Sequence, residues 1–116
     1  MKVEKPWGYE IRWAINEKYL GKILHINAGQ RLSLQYHEKK DETIYVIDGT
    51  AVVQLDGKTH ILSHGESLRI KPGQIHRFCA PNETYVRLVE VSTPEIDDVV
   101  RVEDDYKGVG GCSSFE

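Results

Sequence analysis

The segment GQRLSLQYHEKKDETIYVIDG, residues 29–49, sets the interpretation of the whole 116-residue chain. Its first half alternates, so a strand would place one polar set of side chains on a single face: Arg31, Ser33, Gln35 and His37. Residues 38–41 are all charged and predict a loop, and residues 43–47 are β-branched or aromatic, as is typical of a strand. We therefore predict a β-hairpin in which Glu42 lies directly across from His37.

The predicted hairpin carries a set of metal donors. An amide oxygen of Gln35, an imidazole nitrogen of His37 and a carboxylate oxygen of Glu42 would converge, and this mixture suits a divalent transition metal. The segment KPGQIH, residues 71–76, adds a Pro-Gly turn and then a strand that begins at His76, the predicted fourth ligand. We expect one ion, zinc or manganese, with cobalt, nickel or iron as alternatives. The other interpretation is a barrel that has kept the pattern without the ion.

These residues resemble the two-motif pattern of the cupins, with Gln35 where many cupins have a histidine. A longer set of phrases is similar to the type II mannose-6-phosphate isomerase domain, which in many bacteria is the C-terminal part of a mannose-1-phosphate guanylyltransferase. The resemblance implies an all-β fold, a small single-domain double-stranded β-helix or jelly-roll barrel. The second cupin motif is G-x5-KPG-x2-H (65–76). The phrases shared with the isomerase domain are PWGYE (6–10), GQRLSLQYH (29–37), HR (76–77) and R-x-EDDY (101–106).

Two stretches depart from the family pattern. The chain has EKKD at residues 38–41, where the family tends to have a basic, histidine-containing stretch. It has KPG at residues 71–73, where the family usually has Pro-Ala-Gly. Both stretches are expected at the mouth of the barrel, so they bear on the choice of substrate more than on the fold.

Length and composition describe one ordinary domain. The sequence predicts a cupin domain over residues 1–107 and a flexible Gly/Ser-rich tail over residues 108–116. A net charge of −3 gives no electrostatic reason to expect a nucleic-acid or anionic-membrane partner. The first residues lack the apolar region of a signal peptide, and no apolar run approaches the roughly 18 residues of a membrane span. We therefore expect a cytoplasmic protein.

The segment YVRLVEV, residues 85–91, is the last long predicted strand. Its alternation places Glu90 on the same face as Val86 and Leu88. If that face is internal, Glu90 is either a carboxylate with a raised pKa, suited to acid–base catalysis, or one partner of a buried salt bridge, for which Arg31 is a candidate.

The resemblance implies an aldose–ketose isomerase that converts mannose 6-phosphate to fructose 6-phosphate with the help of the metal ion. On this hypothesis Glu90 is the first candidate for the base, and Arg31 acts in catalysis. The cations expected to bind the sugar phosphate are Arg31, Lys71 and Arg77. The alternatives are a non-catalytic sugar- or sugar-nucleotide-binding cupin with a structural metal, and a small metal-dependent oxygenase.

The apolar residues on the other face of the predicted hairpin indicate self-association. They would form an apolar patch on the outside of the barrel, which monomers seldom expose. We expect a two-fold homodimer that covers this patch, aided by Trp7 and Trp13. The patch residues are Leu32, Leu34, Tyr36, Tyr45 and Ile47.

Overall fold

Antiparallel strands make up the fold of residues 1–103, the part of the chain that the computed structural model describes. The end of the predicted domain and the predicted 108–116 tail lie outside this range. The described residues contain no helix that could cross a membrane. The strands are β1 (Lys2–Lys5), β2 (Gly8–Ile15), β3 (Leu20–Ile26), β4 (Leu34–Tyr36), β5 (Glu42–Asp48), β6 (Ala51–Leu55), β7 (Lys58–Leu62), β8 (Ser67–Ile70), β9 (His76–Cys79), β10 (Val86–Ser92) and β11 (Val100–Glu103).

The strands form two sheets that share one apolar core. The six-stranded sheet has the order β1-β2-β3-β10-β5-β8, and the five-stranded sheet has the order β11-β4-β9-β6-β7. Strands β5 and β10 alternate between buried and more exposed residues, because one face of each is turned inward. The inward face supplies apolar residues to the core and also two carboxylates, Glu42 and Glu90. The all-β prediction is confirmed. Core residues from both sheets include Leu24, Ile44, Val53, Phe78 and Leu88.

The predicted hairpin of β4 and β5 is wrong. Strand β4 pairs with β9 and β11, whereas β5 pairs with β8 and β10, so the two strands belong to different sheets. The chain crosses from one sheet to the other between Tyr36 and Glu42. His37 and Glu42 therefore meet across the space between the sheets and not across a ladder of paired strands.

Arg31 does not share the inward face of Gln35, as strict alternation predicted. Gln35 lies opposite His76, but Arg31 lies opposite Cys79, so the pairing shifts by one residue between them. Phe78 is part of the core, and its neighbour Cys79 therefore points to the outer face of the sheet. Directly opposite residues share a face, so Arg31 also points outward.

The predicted dimer surface is divided, because its residues come from both β4 and β5. Leu32 packs against the core instead of facing outward, and Trp7 is only 7% exposed. Trp13 is exposed on β2, in the six-stranded sheet. The homodimer and the cytoplasmic location stay predictions, and the continuous apolar patch expected for the dimer is not formed by the described residues.

Candidate metal centre

Three buried side chains meet in the space between the sheets. His37 follows β4, Glu42 begins β5 and His76 begins β9. Nε2 of His37 lies 2.7 Å from Oε2 of Glu42, and Nε2 of His76 lies 3.4 Å from the same oxygen. One ligand atom from each residue lies within 4.8 Å of the other two. The structure thus brings together three of the four residues predicted from the sequence as metal ligands.

A backbone carbonyl orients each histidine ring. Nδ1 of His37 is placed to donate to the carbonyl oxygen of Asp98, and Nδ1 of His76 to that of Gln74 over 2.9 Å. A neutral imidazole with its proton on Nδ1 presents a lone pair on Nε2. In both rings that nitrogen is turned toward Glu42. Metal-binding histidines are commonly held in this way, by a hydrogen bond from the second ring nitrogen.

The three converging atoms suit a bound cation. Among the described residues, no hydrogen-bond partner satisfies His37 Nε2, Glu42 Oε2 or His76 Nε2, and all three atoms are buried. A buried polar atom without a partner is costly, and a coordinated ion would offset that cost. Two imidazole nitrogens and one carboxylate oxygen are suitable ligands for a divalent ion, and zinc, manganese and iron all accept such a set.

Gln35, the fourth predicted ligand, lies beside this group. It is directly opposite His76 in the pairing of β4 with β9, so the two side chains share a face. Its Oε1 accepts a hydrogen bond of 2.9 Å from the Ser33 hydroxyl. Gln35 also lines the same cavity as His37 and Glu42. Its role as a metal ligand stays a prediction.

The electrostatics of the group favour an ionised carboxylate. Burial alone would raise the pKa of Glu42, but the two imidazole rings of His37 and His76 beside it, together with the charge of Lys40, hold this pKa well below its usual value. Burial opposes the protonation of His37, yet the adjacent Glu42 carboxylate outweighs it and raises the pKa of His37. Glu42 is therefore a negatively charged candidate ligand at neutral pH.

A buried ion pair lies in the same cavity. Nζ of Lys40 is 2.8 Å from Oε2 of Glu90, and the two side chains are 4% and 5% exposed. Residues 38–41 form the loop that their charges predicted, and the Lys40 side chain points from this loop into the cavity. The structure gives Glu90 a different partner from Arg31, the candidate proposed from the sequence. A buried carboxylate needs a cation nearby. The sequence therefore indicated that Glu90 has a cationic partner, but not which residue that partner is.

Asp98 was missed in the sequence, and it fixes the position of this loop. Its carboxylate accepts the backbone N–H groups of Glu38, Lys39 and Lys40 at 3.0, 2.7 and 2.9 Å. Its carbonyl oxygen accepts the bond from His37. One residue thus holds both a candidate ligand and the loop that delivers Lys40. No local pattern could have shown this, because about 60 residues separate the partners.

A cavity of about 320 Å³ extends from the candidate metal ligands along the inner face of the six-stranded sheet. The three predicted phosphate-binding cations are not on its walls. Arg31 points outward, Lys71 is exposed, and Arg77 is buried where its Nε–H donates to the carbonyl of Leu32 over 2.8 Å. Their predicted roles in binding and catalysis stay predictions. The cations on the walls are Lys5, Arg12, Lys22, Lys40 and Arg101.

The fold is that of a cupin. KdgF from Halomonas sp. superposes with a TM-score of 0.76 at 20% identity, over 84% of this chain and 88% of that one. An RmlC-like cupin from Shewanella frigidimarina gives a TM-score of 0.74 at 18% identity, over 84% and 86%. At these identities the likeness concerns the fold alone.

The chain belongs to the family described as mannose-6-phosphate isomerase C-terminal, whose profile matches residues 1–104. Its relatives include the alginate biosynthesis protein AlgA of Pseudomonas aeruginosa, 32% identical over 108 residues. Another is the mannose-1-phosphate guanylyltransferase ManC of Salmonella typhimurium, 36% identical over 108 residues. Each alignment covers 90% of this chain but 22% of the relative, so the chain spans about a fifth of their length. The resemblance inferred from the sequence is confirmed.

Proposed function

We propose that the protein is a metal-dependent isomerase that interconverts mannose 6-phosphate and fructose 6-phosphate. The observation that carries this proposal is the buried Glu90 carboxylate in the same cavity as His37 and Glu42. An aldose–ketose isomerisation needs a base close to a group that stabilises negative charge on the sugar oxygens. Membership of the family supports mannose 6-phosphate as the sugar.

The proposed ion is zinc or manganese, held by His37, Glu42 and His76, with Gln35 as the fourth ligand. A divalent cation bound there would act as a Lewis acid, polarising sugar oxygens and stabilising the charge that develops on them. The unpartnered, buried donor atoms of the three residues support this assignment.

Glu90 is the proposed base. The reaction removes a proton from C2 of the aldose and returns one to C1, while a hydroxyl proton moves from O2 to O1. Burial, and then the charge of Glu42, raises the pKa of Glu90, and Lys40 and Lys22 limit the rise. A carboxylate of raised pKa accepts a carbon-bound proton more readily, because its affinity for protons is higher.

Lys40 keeps that base usable. Without a cation, the pKa of a carboxylate as buried as Glu90 would rise further, and only the ionised form can act as a base. The ammonium group at 2.8 Å favours the ionised form and fixes the direction of the carboxylate. Apolar side chains on the cavity walls, among them Trp7, Phe78 and Val99, limit the access of water to the reacting carbons.

The test is turnover by purified protein loaded separately with zinc, manganese, cobalt and nickel. We expect mannose 6-phosphate to be converted to fructose 6-phosphate, with deuterium at C1 when the reaction is run in heavy water. Glu90→Gln should lower kcat by about 10²–10⁴-fold and leave the metal content unchanged. The control is Glu17→Gln, an exposed carboxylate away from the cavity. If none of the four metals supports conversion, the isomerase proposal is wrong.

A second candidate is a non-catalytic domain that binds a sugar or sugar nucleotide around a structural metal. It is favoured by one observation: Glu90 is already enclosed in an ion pair with Lys40. On this hypothesis the metal-loaded protein binds mannose 6-phosphate or a mannose nucleotide without chemical change. Equilibrium binding together with the absence of turnover would distinguish it from the isomerase.

A further inference from the structure

The end of the cavity formed by β2 and β3 has an excess of positive charge. Nε of Arg12 lies 2.7 Å and Nζ of Lys22 lies 3.4 Å from the same oxygen, Oε2 of Glu10. Lys5 is near enough for its charge to help lower the pKa of Glu10, against the effect of burial. Within residues 1–103, Arg12 and Lys22 form ion pairs with Glu10 alone, and Lys5 forms none. Three cations thus surround one carboxylate.

Two further charged residues that line the cavity do not remove the excess. Arg101 and Asp97 also line the cavity, and their charges cancel. The remaining surplus is two positive charges, from Lys5, Arg12 and Lys22 against Glu10. The side chains of Arg12 and Lys22 are only 22% and 9% exposed, so water screens them poorly. Positive charge in a partly enclosed cleft attracts and concentrates anions.

Strand pairing fixes where this positive region lies relative to the proposed base. Arg12 on β2 is opposite Lys22 on β3, and Lys22 is opposite Glu90 on β10. Neighbouring strands lie roughly 4.8 Å apart, so the backbones of Arg12 and Glu90 are separated by about 10 Å. Strand β5, which carries Glu42, is one strand further on. The positive region and the candidate metal ligands are therefore at opposite ends of one cavity.

We propose that Arg12, with Lys5 and Lys22, binds the phosphate group of the substrate. This inference rests on the proposed function, because it assumes a sugar phosphate whose reacting carbons lie at Glu90. The carbon chain of a hexose separates C1 and C2 from the phosphate on O6, as the two ends of the cavity require. A phosphate dianion matches the surplus of two positive charges better than a carboxylate does.

Arg12 has the chemistry for this contact. Its bond to Glu10 uses the Nε–H group. In the part of the chain described by the structure, no hydrogen bond occupies its two terminal NH₂ groups. A guanidinium can bind phosphate oxygens through such groups in a bidentate manner, while Glu10 holds the side chain in position.

The test is calorimetric titration of the metal-loaded protein with mannose 6-phosphate and with mannose. Arg12→Gln should weaken the binding of mannose 6-phosphate by about one to two powers of ten, because a charge-assisted contact is lost. Its affinity for mannose and its metal content should not change. Arg12→Lys should retain part of the affinity. Lys71→Gln, an exposed cation that the sequence had suggested, is the matched control and should bind like the wild type.

Several outcomes would overturn the inference. They are unchanged binding by Arg12→Gln, a larger loss in Lys71→Gln, equal affinity for mannose and mannose 6-phosphate, or no binding of the sugar phosphate. If Arg12→Gln does not fold, Lys5→Gln removes a cation that no ion pair engages in the described chain, and it should still weaken binding. Binding through Arg12 without turnover would refute the isomerase and leave the phosphate site standing. Turnover that Arg12→Gln does not affect would refute the phosphate site and leave the isomerase proposal standing.

Discussion

Replacing Lys40 by methionine tests whether the Lys40–Glu90 ion pair is essential to the cavity. Both side chains are almost fully buried, and their charged atoms are 2.8 Å apart. Removing one partner of a buried ion pair typically costs 3–5 kcal/mol, because the other charge is left uncompensated. Lys22 also attracts Glu90, so we expect a loss near the lower end, about 3 kcal/mol in the free energy of unfolding.

A double-mutant cycle measured by urea unfolding at pH 7 separates the pair from its surroundings. Glu90→Gln should cost less than Lys40→Met, because Glu42 also attracts the Lys40 ammonium group. The combined variant, Lys40→Met with Glu90→Gln, buries no unpaired charge at this position. It should therefore be more stable than the sum of the single losses predicts, by about 1–3 kcal/mol.

The pH dependence gives an independent check on the same variant. Burial already raises the pKa of Glu90, and the loss of Lys40 removes a charge that opposes the rise. A carboxyl group with a raised folded-state pKa destabilises the protein above that pKa, and the penalty is relieved as the pH falls through it. The deficit of Lys40→Met should therefore shrink below neutral pH. A loss under about 1 kcal/mol, a deficit that does not change with pH, or strict additivity in the cycle would refute the reasoning.

Three further predictions concern the ligands, the loop and the cavity. His76→Ala should abolish stoichiometric zinc or manganese in elemental analysis, whereas the exposed His64→Ala should retain it; full metal content in both variants would contradict the site. Asp98→Ala removes the acceptor of three backbone N–H groups, so metal affinity in a chelator competition should fall by about tenfold or more. Asp98→Asn should be intermediate. Unchanged affinity in Asp98→Ala would show that the 38–40 loop keeps its position without these hydrogen bonds. Burial opposes ionisation of Glu10, but Arg12 and Lys22 lower its pKa, so its stabilising effect is present above the ordinary pKa of 4.5 and lost as the pH falls below it. Urea unfolding of Glu10→Gln should show a weaker loss of stability in acid than the wild type, and an identical decline would count against this assignment.

The sequence predicted three residues of the candidate metal centre, His37, Glu42 and His76, through a topology that is wrong. A hairpin and a crossing between sheets both bring His37 near Glu42, because only four residues separate them in either case. What distinguishes the two is the partner of each strand, and β5 pairs with β10, which lies about forty residues further along the chain. A local sequence pattern does not predict pairing between strands so far apart in the chain. The spacing of ligands was therefore informative about the site and uninformative about the sheet.

The error over Arg31 has a different origin. Alternation assigns faces correctly only while the strand pairing stays in register, and one shift of a single residue reverses every assignment beyond it. That shift falls between Arg31 and Gln35. Gln35 and His37 lie on the side of the shift where the predicted faces hold. The inward face was thus predicted correctly for Gln35, and incorrectly for Arg31, four residues earlier.

The charged residues of the cavity come from strands far apart in the sequence, and they bear on the choice between a neutral sugar and a sugar phosphate. Three interior carboxylates, Glu10, Glu42 and Glu90, are balanced by three cations on the walls, Arg12, Lys22 and Lys40. A divalent ion at the candidate ligands would add two positive charges, and Lys5 adds one more. A cavity with that excess would bind a neutral sugar without any electrostatic gain. A dianionic phosphate would remove most of the excess, which is why the proposed phosphate site favours a sugar phosphate over a neutral sugar.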